Sequence, residues 1–152
     1  NVSLTIVGDG LLRGLCEEKS TEANISYLGP IYDRNKLASV MAAHNILLLL
    51  SKKVGTWQEF FGIVIIEALA SGLGVIASDH VGPEEIFNTV ETDNLFNNNS
   101  TDEIISLLIL LKNNPKKREE FIQIQSDIAK KYHIKSVADD WYIKIQSLLV
   151  DQ

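Results

Sequence analysis

Short apolar runs and helix-patterned segments take turns along this chain, and that alternation limits the folds open to it more than any other feature. Val2 to Val7, Ile25 to Leu28, Ile46 to Leu50 and Gly74 to Ala77 read as strands. Helical spacing falls between them, at about Leu11 to Glu18, Arg34 to Ala43 and the stretch after Gly62, and Pro83 and Glu84 open a further short helix. Repeats of this kind place the strands parallel, because a parallel return needs a crossover where an antiparallel one needs only a tight turn. Leu47 to Leu50 offers no polar side chain to water, as expected of a strand buried on both faces. The fold class is therefore α/β, a Rossmann-like parallel sheet with helices on both faces.

The second half of the chain reads as helical. After a mostly polar loop, Asn94 to Ser100, Thr101-Asp102 can cap a helix from Glu103 to Lys112 with Ile104, Leu107, Leu108 and Leu111 on one face. Pro115 restarts a helix. Phe121, Ile124 and Ile128 then recur at helical spacing, and Ser136 to Val150 offers Val137, Trp141, Ile145 and Leu148. Such stripes are expected to face a core.

With 152 residues at 45% hydrophobic, the chain can bury roughly 70% of its unfolded surface, and one domain is the natural count. A net charge of -6 and a pI near 5.0 argue against nucleic acid as a partner. Cys16 is the only cysteine, which excludes an internal disulfide and Cys-x-x-Cys zinc sites. His44, His80 and His133 lack ligand spacing, so no metal is expected. His80 follows a strand on the side where ligands bind in such sheets, and it reads as a loop histidine ahead of a sugar or acceptor contact.

Asn1 to Gly10 has neither a basic start nor a long apolar run, so no signal peptide is expected. The leucine run falls far short of the ~20 residues a bilayer requires, so no transmembrane segment is expected. Tripeptides starting at Asn1, Asn24 and Asn99 match the N-glycosylation pattern, and chance matches are common in a chain rich in Asn and Ser.

One constellation carries chemistry. From Phe60 to Ser78 the only charge is Glu67, and Glu59 stands eight residues before it. A carboxylate buried among Ile63 to Ala70 costs several kcal/mol, on the order of 5, unless a polar partner satisfies it. A bound ligand can be that partner. If the helix starts near Gly62, Glu67 lies roughly 7 Å along its axis at about 1.5 Å per residue. The free N–H groups around Gly62, Ile63 and Val64 then lie between the two carboxylates and suit a phosphate.

This segment, with Gly72-Leu73-Gly74-Val75-Ile76-Ala77-Ser78-Asp79 and Gly82-Pro83-Glu84-Glu85-Ile86 after it, resembles the donor-binding half of retaining GT-B glycosyltransferases of family 4, group 1. Glu59 and Glu67 fit the family's Glu-x7-Glu signature. Leu4 to Gly10, Ile25 to Gly29 and Ile46 to Leu50 fall in family order, so the resemblance runs from Val2 to about Leu149. It implies a catalytic role for Glu59 against the transferred sugar. Backbone contacts from Phe61, Gly62 and Ile63 would go to sugar hydroxyls and diphosphate, and Glu67 would hold the ribose hydroxyls. Gly8, in Gly8-Asp9-Gly10, would line the nucleotide cleft, and Ile31 would lie where the base rests.

The chain departs from the family in places. Phe60 stands where a small residue is usual, Leu50 precedes Ser51 where proline is common, and Val81 replaces the first glycine of a pair. The family's opening strand, Gly-Arg turn and lysine helix do not precede Val2; without that strand two sheet edges would be left, which allows self-association of the fragment. Lys52 and Lys53 are chemically able to replace the basic pair but read first as a solvated loop tip. Glu85 reads equally as a donor contact and as a helix-start carboxylate.

The resemblance implies a fragment, 1–152, that binds a nucleotide-diphosphate sugar as substrate, with no cofactor. In the complete enzyme a hexosyl unit would pass to a hydroxyl acceptor with retention, the acceptor being held on an absent N-terminal domain to which a helix at 135–150 crosses. The fragment alone would be inactive. The expected location is cytoplasmic, or peripheral at the inner face of the membrane for the full-length enzyme. Rival readings are a sugar-nucleotide epimerase or a phosphorylase of the same fold, and a non-catalytic nucleotide-binding or protein-interaction domain in which Glu67 pairs with a lysine.

Overall fold

In the computed structural model, residues 2–56, 58–97 and 100–150 are described. Asn1 and Asn99, two of the glycosylation-pattern positions named above, lie outside them. The chain packs as two compact units, Asn1–Val40 and Met41–Gln152.

In the first unit, β1 (Leu4–Ile6) and β2 (Ile25–Tyr27) pair in parallel, Leu4 opposite Ile25 and Ile6 opposite Tyr27. The crossover is α1 (Arg13–Lys19), which has no buried residue. At the start of α2 (Arg34–Ala42), the Asp33 carboxylate accepts from the amides of Asn35 and Lys36 at 2.8 and 3.0 Å. That side chain satisfies amides the helix itself leaves open.

The second unit holds β3 (Ile46–Leu49), α3 (Ile63–Ala70), β4 (Gly74–Ser78), α4 (Val81–Phe87) and β5 (Leu95–Phe96), followed by α5 (Thr101–Asn113), α6 (Pro115–Ser126), α7 (Ile128–Lys131) and α8 (Ile134–Val150). Its strands form one parallel ladder in the order β3-β4-β5. All five residues of β4 are buried. The sequence pointed to the leucine run as the doubly buried strand, and the structure corrects this: β3 is an outer strand of its ladder, with Leu48 37% exposed. Strand order is set by which backbones pair, so composition alone does not select the centre.

The strand β5 falls inside the segment expected to be loop. It pairs only with Ala77 and Ser78, so the start of β4 needs other partners. Buried amide side chains supply them. The Val75 amide donates to Gln125 Oε1 at 2.8 Å, and Asn94 Nδ2 donates to the Val75 carbonyl at 3.1 Å. Gln125, from α6, thereby ties the helical layer to the central strand. Helix α6 starts at Pro115 as expected, with Asn114 Oδ1 accepting from the Lys117 amide at 3.1 Å.

The last helix overturns an expectation. Val137, Trp141, Ile145 and Leu148 were expected to pack, yet they are 38%, 63%, 51% and 70% exposed. No residue from Ile134 to Leu149 is buried. A helical stripe specifies an apolar face but not the element that covers it, and no described element covers this one. Among the described residues, no helix is long and apolar enough to cross a membrane.

Candidate functional site

The loop from Glu59 to Gly62 sets up the site. Gly62, the N-cap of α3, has φ 68° and ψ 51°, a left-handed conformation that costs other residues about 1–2 kcal/mol. This turn lets the Ile65 amide reach the Gly62 carbonyl at 2.8 Å and start the helix. Glu59 is half-buried, and its Oε1 accepts from the Gly62 amide at 3.0 Å and from the Phe61 amide at 3.4 Å. An anion thus already stands at the positive end of α3, where the helix dipole favours it. The Ile63 and Val64 amides remain without an acceptor among the described residues.

The backbone of Glu59 is held from outside the loop. Its amide donates to His80 Nδ1 at 3.0 Å, and its carbonyl accepts from the Gly82 amide at 3.1 Å. His80 is fully buried, and because Nδ1 accepts, the neutral ring carries its hydrogen on Nε2. That Nε2 is buried with no hydrogen-bond partner among the described residues. Gly82 allows the close approach: a Cβ there would sit 2.5 Å from the Phe61 nitrogen and 2.6 Å from the Phe60 carbonyl carbon.

Glu67 lies on the second turn of α3, whose buried residues are Ile65, Ala68 and Leu69. The expected full burial of Glu67 is not what the helix produces: the side chain is half-buried, at the margin of the apolar face. Partial hydration removes most of the desolvation cost, so no internal cation is needed. None of the ion pairs among the described residues involves it. The reading in which Glu67 pairs with a lysine therefore finds no support.

Around the loop, Phe60, Phe61 and Ile63 are 65%, 54% and 61% exposed. Phe61 meets Tyr132 edge to face, with ring centroids 6.4 Å apart. Burial first, and the negative charge of Glu85 second, raise the Tyr132 phenol above its ordinary pKa. Lys53 Nζ donates to the Asp79 carbonyl at 3.1 Å, so this lysine reaches the turn beside His80. Ser78 Oγ donates to the Ser51 carbonyl at 2.7 Å and ties the ends of β3 and β4.

In the first unit, Gly8 has φ 136°. Its amide donates to the Gly29 carbonyl at 3.0 Å, and its carbonyl accepts from the Tyr27 hydroxyl at 2.9 Å. Asp9 Oδ1 accepts from the Gly10 amide at 2.9 Å, the bond of a turn former. Ile31 is half-buried, just past Gly29-Pro30. The predicted residues therefore fall into two groups, Gly8 and Ile31 in one unit and Glu59, Phe61, Gly62, Ile63 and Glu67 in the other. Among the described residues, no group of three or more His, Cys, Asp or Glu is arranged to hold a metal.

Sequence reasoning missed the hold of His80 on Glu59 and the closeness of Gly82 to the Phe60-Phe61 peptide. The second left a trace in the glycine-proline turn. The first left none, because a single histidine 21 residues from its partner forms no pattern.

A phosphatidyl-myo-inositol mannosyltransferase from Mycobacterium leprae is 28% identical over 143 residues, covering 91% of this chain and 36% of that protein. The crystal structure of Anabaena HepE in complex with UDP and glucose superposes with a TM-score of 0.73 at 23% identity, over 96% of this chain and 41% of that one. The C-terminal domain of LpcC from Francisella tularensis, a glycosyl transferase group 1 family protein, gives a TM-score of 0.63 at 28% identity, covering 81% of this chain and 61% of its own. The chain thus spans well under half the length of the mannosyltransferase and of HepE. The fold is that of a GT-B glycosyltransferase C-terminal domain. Since the profile of the family described as glycosyl transferases, group 1, matches residues 1–127, this chain belongs to that family.

Proposed function

We propose that this chain is the donor-binding half of a retaining family 4 glycosyltransferase, taking a hexosyl unit from a nucleotide-diphosphate sugar to a hydroxyl acceptor. The observation that carries the reading is Glu67: a half-buried carboxylate beyond the first turn of α3, with no cation paired to it among the described residues. Such a group can accept both hydroxyls of a ribose. Glu59 stands ahead of the helix for the sugar. The helix start, with the Ile63 and Val64 amides open, lies between them in the chain for the diphosphate.

In this reading the departing diphosphate is stabilised by the positive end of α3, a preorganised dipole aimed at developing charge. Lys53, at the turn beside His80, is a candidate for further positive charge. Gly8 and Ile31 are assigned to the nucleotide side. The acceptor is assigned to an N-terminal domain of the same enzyme, a reading supported by the 41% coverage of HepE. The chain alone is then inactive in transfer while still binding nucleotide.

UDP is the first probe, because HepE was crystallised with UDP and glucose. Calorimetric titration of UDP, GDP and ADP should identify one preferred nucleotide for the intact chain. For Glu67→Ala its affinity should drop about tenfold, the loss of a charged hydrogen-bond acceptor being worth roughly 1.5–3 kcal/mol. Unchanged affinity in that variant would remove the ribose role.

A further inference from the structure

His80 is the buried polar side chain that the proposed reaction leaves unexplained. It is fully buried, one ring nitrogen is spent on the Glu59 amide at 3.0 Å, and the other has no partner among the described residues. An apolar residue of the same volume would fill this place without leaving a buried donor unsatisfied. Space filling therefore does not account for an imidazole here. The acceptor at Nδ1 does.

The Glu59 loop needs such an anchor. Phe60 and Phe61 are more than half exposed, so side-chain packing does little to fix this segment. Its other ties among the described residues are the edge-to-face contact of Phe61 with Tyr132, the Gly82 amide on the Glu59 carbonyl at 3.1 Å, and the carboxylate's own bonds to the Phe61 and Gly62 amides. Those last bonds form only if the Glu59 backbone is already oriented. His80 supplies that orientation from inside the core, at the N-cap of α4.

We propose that His80 is a positioning residue for Glu59, fixing its backbone through Nδ1 so that the carboxylate stands at the start of α3. Resting on the reading of Glu59 as the sugar contact, this makes His80 a determinant of sugar recognition and not of nucleotide binding. It acts through Glu59 and touches no part of the donor.

The test uses the intact chain with His80→Leu, which removes the acceptor, and His80→Asn, whose Oδ1 replaces Nδ1. Amide hydrogen exchange is read at Phe61 and Gly62, with Val75 to Ala77 as the internal reference, and UDP and UDP-glucose are titrated in parallel. In His80→Leu the Phe61 and Gly62 amides should exchange about tenfold faster with the β4 amides unchanged. Affinity for UDP-glucose should fall about tenfold while that for UDP holds. His80→Asn should restore both.

Unchanged exchange at the loop in His80→Leu overturns the proposal, as does an equal loss for UDP and UDP-glucose, which marks a merely structural role. A folded His80→Asn that behaves like His80→Leu also overturns it. Should the wild-type chain bind UDP-glucose no more tightly than UDP, the sugar role of Glu59 fails, and the exchange comparison still decides whether His80 holds the loop.

Discussion

Two glycine-bearing turns lead into helices in this chain, and they are held in different surroundings. Gly8-Asp9-Gly10, ahead of α1, is tied by the Tyr27 hydroxyl, the Gly29 carbonyl and its own Asp9, and the helix it feeds has no buried residue. Glu59 to Gly62, ahead of α3, is tied by a fully buried histidine and by a glycine on a neighbouring helix, and α3 buries Ile65, Ala68 and Leu69. Glycine permits a tight turn in both. Both are tied to groups remote in sequence, 19 residues away for Tyr27 and Gly8 and 21 for His80 and Glu59, but only the second is fixed by a fully buried side chain, and that fixing turns a loop into a place where a carboxylate can be held against a helix end.

The comparison predicts unequal sensitivity to a single methyl group. Gly82→Ala should lower stability by about 2–4 kcal/mol in chemical denaturation, since the new Cβ meets backbone at 2.5 Å and the loop must move. Gly10→Ala is its control: a Cβ there meets nothing within 4 Å, and the change should stay within about 0.5 kcal/mol. Equal effects at the two sites would erase the distinction drawn here.

Tyr27→Phe probes the looser turn directly. It removes the 2.9 Å bond to the Gly8 carbonyl, which water can replace at a part-buried position, and the expected loss in the same assay is about 1 kcal/mol or less. A loss several times larger would mean that the first turn is anchored as firmly as the second.

Much of this was legible in the sequence for identifiable reasons. The strand and helix alternation survives because each apolar run is bounded by polar or glycine residues, and α3 starts where Gly62 allows it. Glu59 and Glu67 stood out because charge is rare in that stretch. What sequence could not give was set by pairings remote in the chain. β4 rather than the leucine-rich β3 is central because β5, only two residues long, pairs on its far side. Val75 bonds to Gln125 across 50 positions, and Glu59 to His80 across 21. The apolar stripe of α8 was visible, but its lack of a covering element was not, because periodicity describes one surface and never its partner.

A structure of the chain with UDP bound decides whether Glu67 holds the ribose. Both ribose hydroxyls should lie within hydrogen-bonding distance of the Glu67 carboxylate, with the diphosphate at the start of α3. UDP bound elsewhere, with Glu67 still facing water, would contradict it.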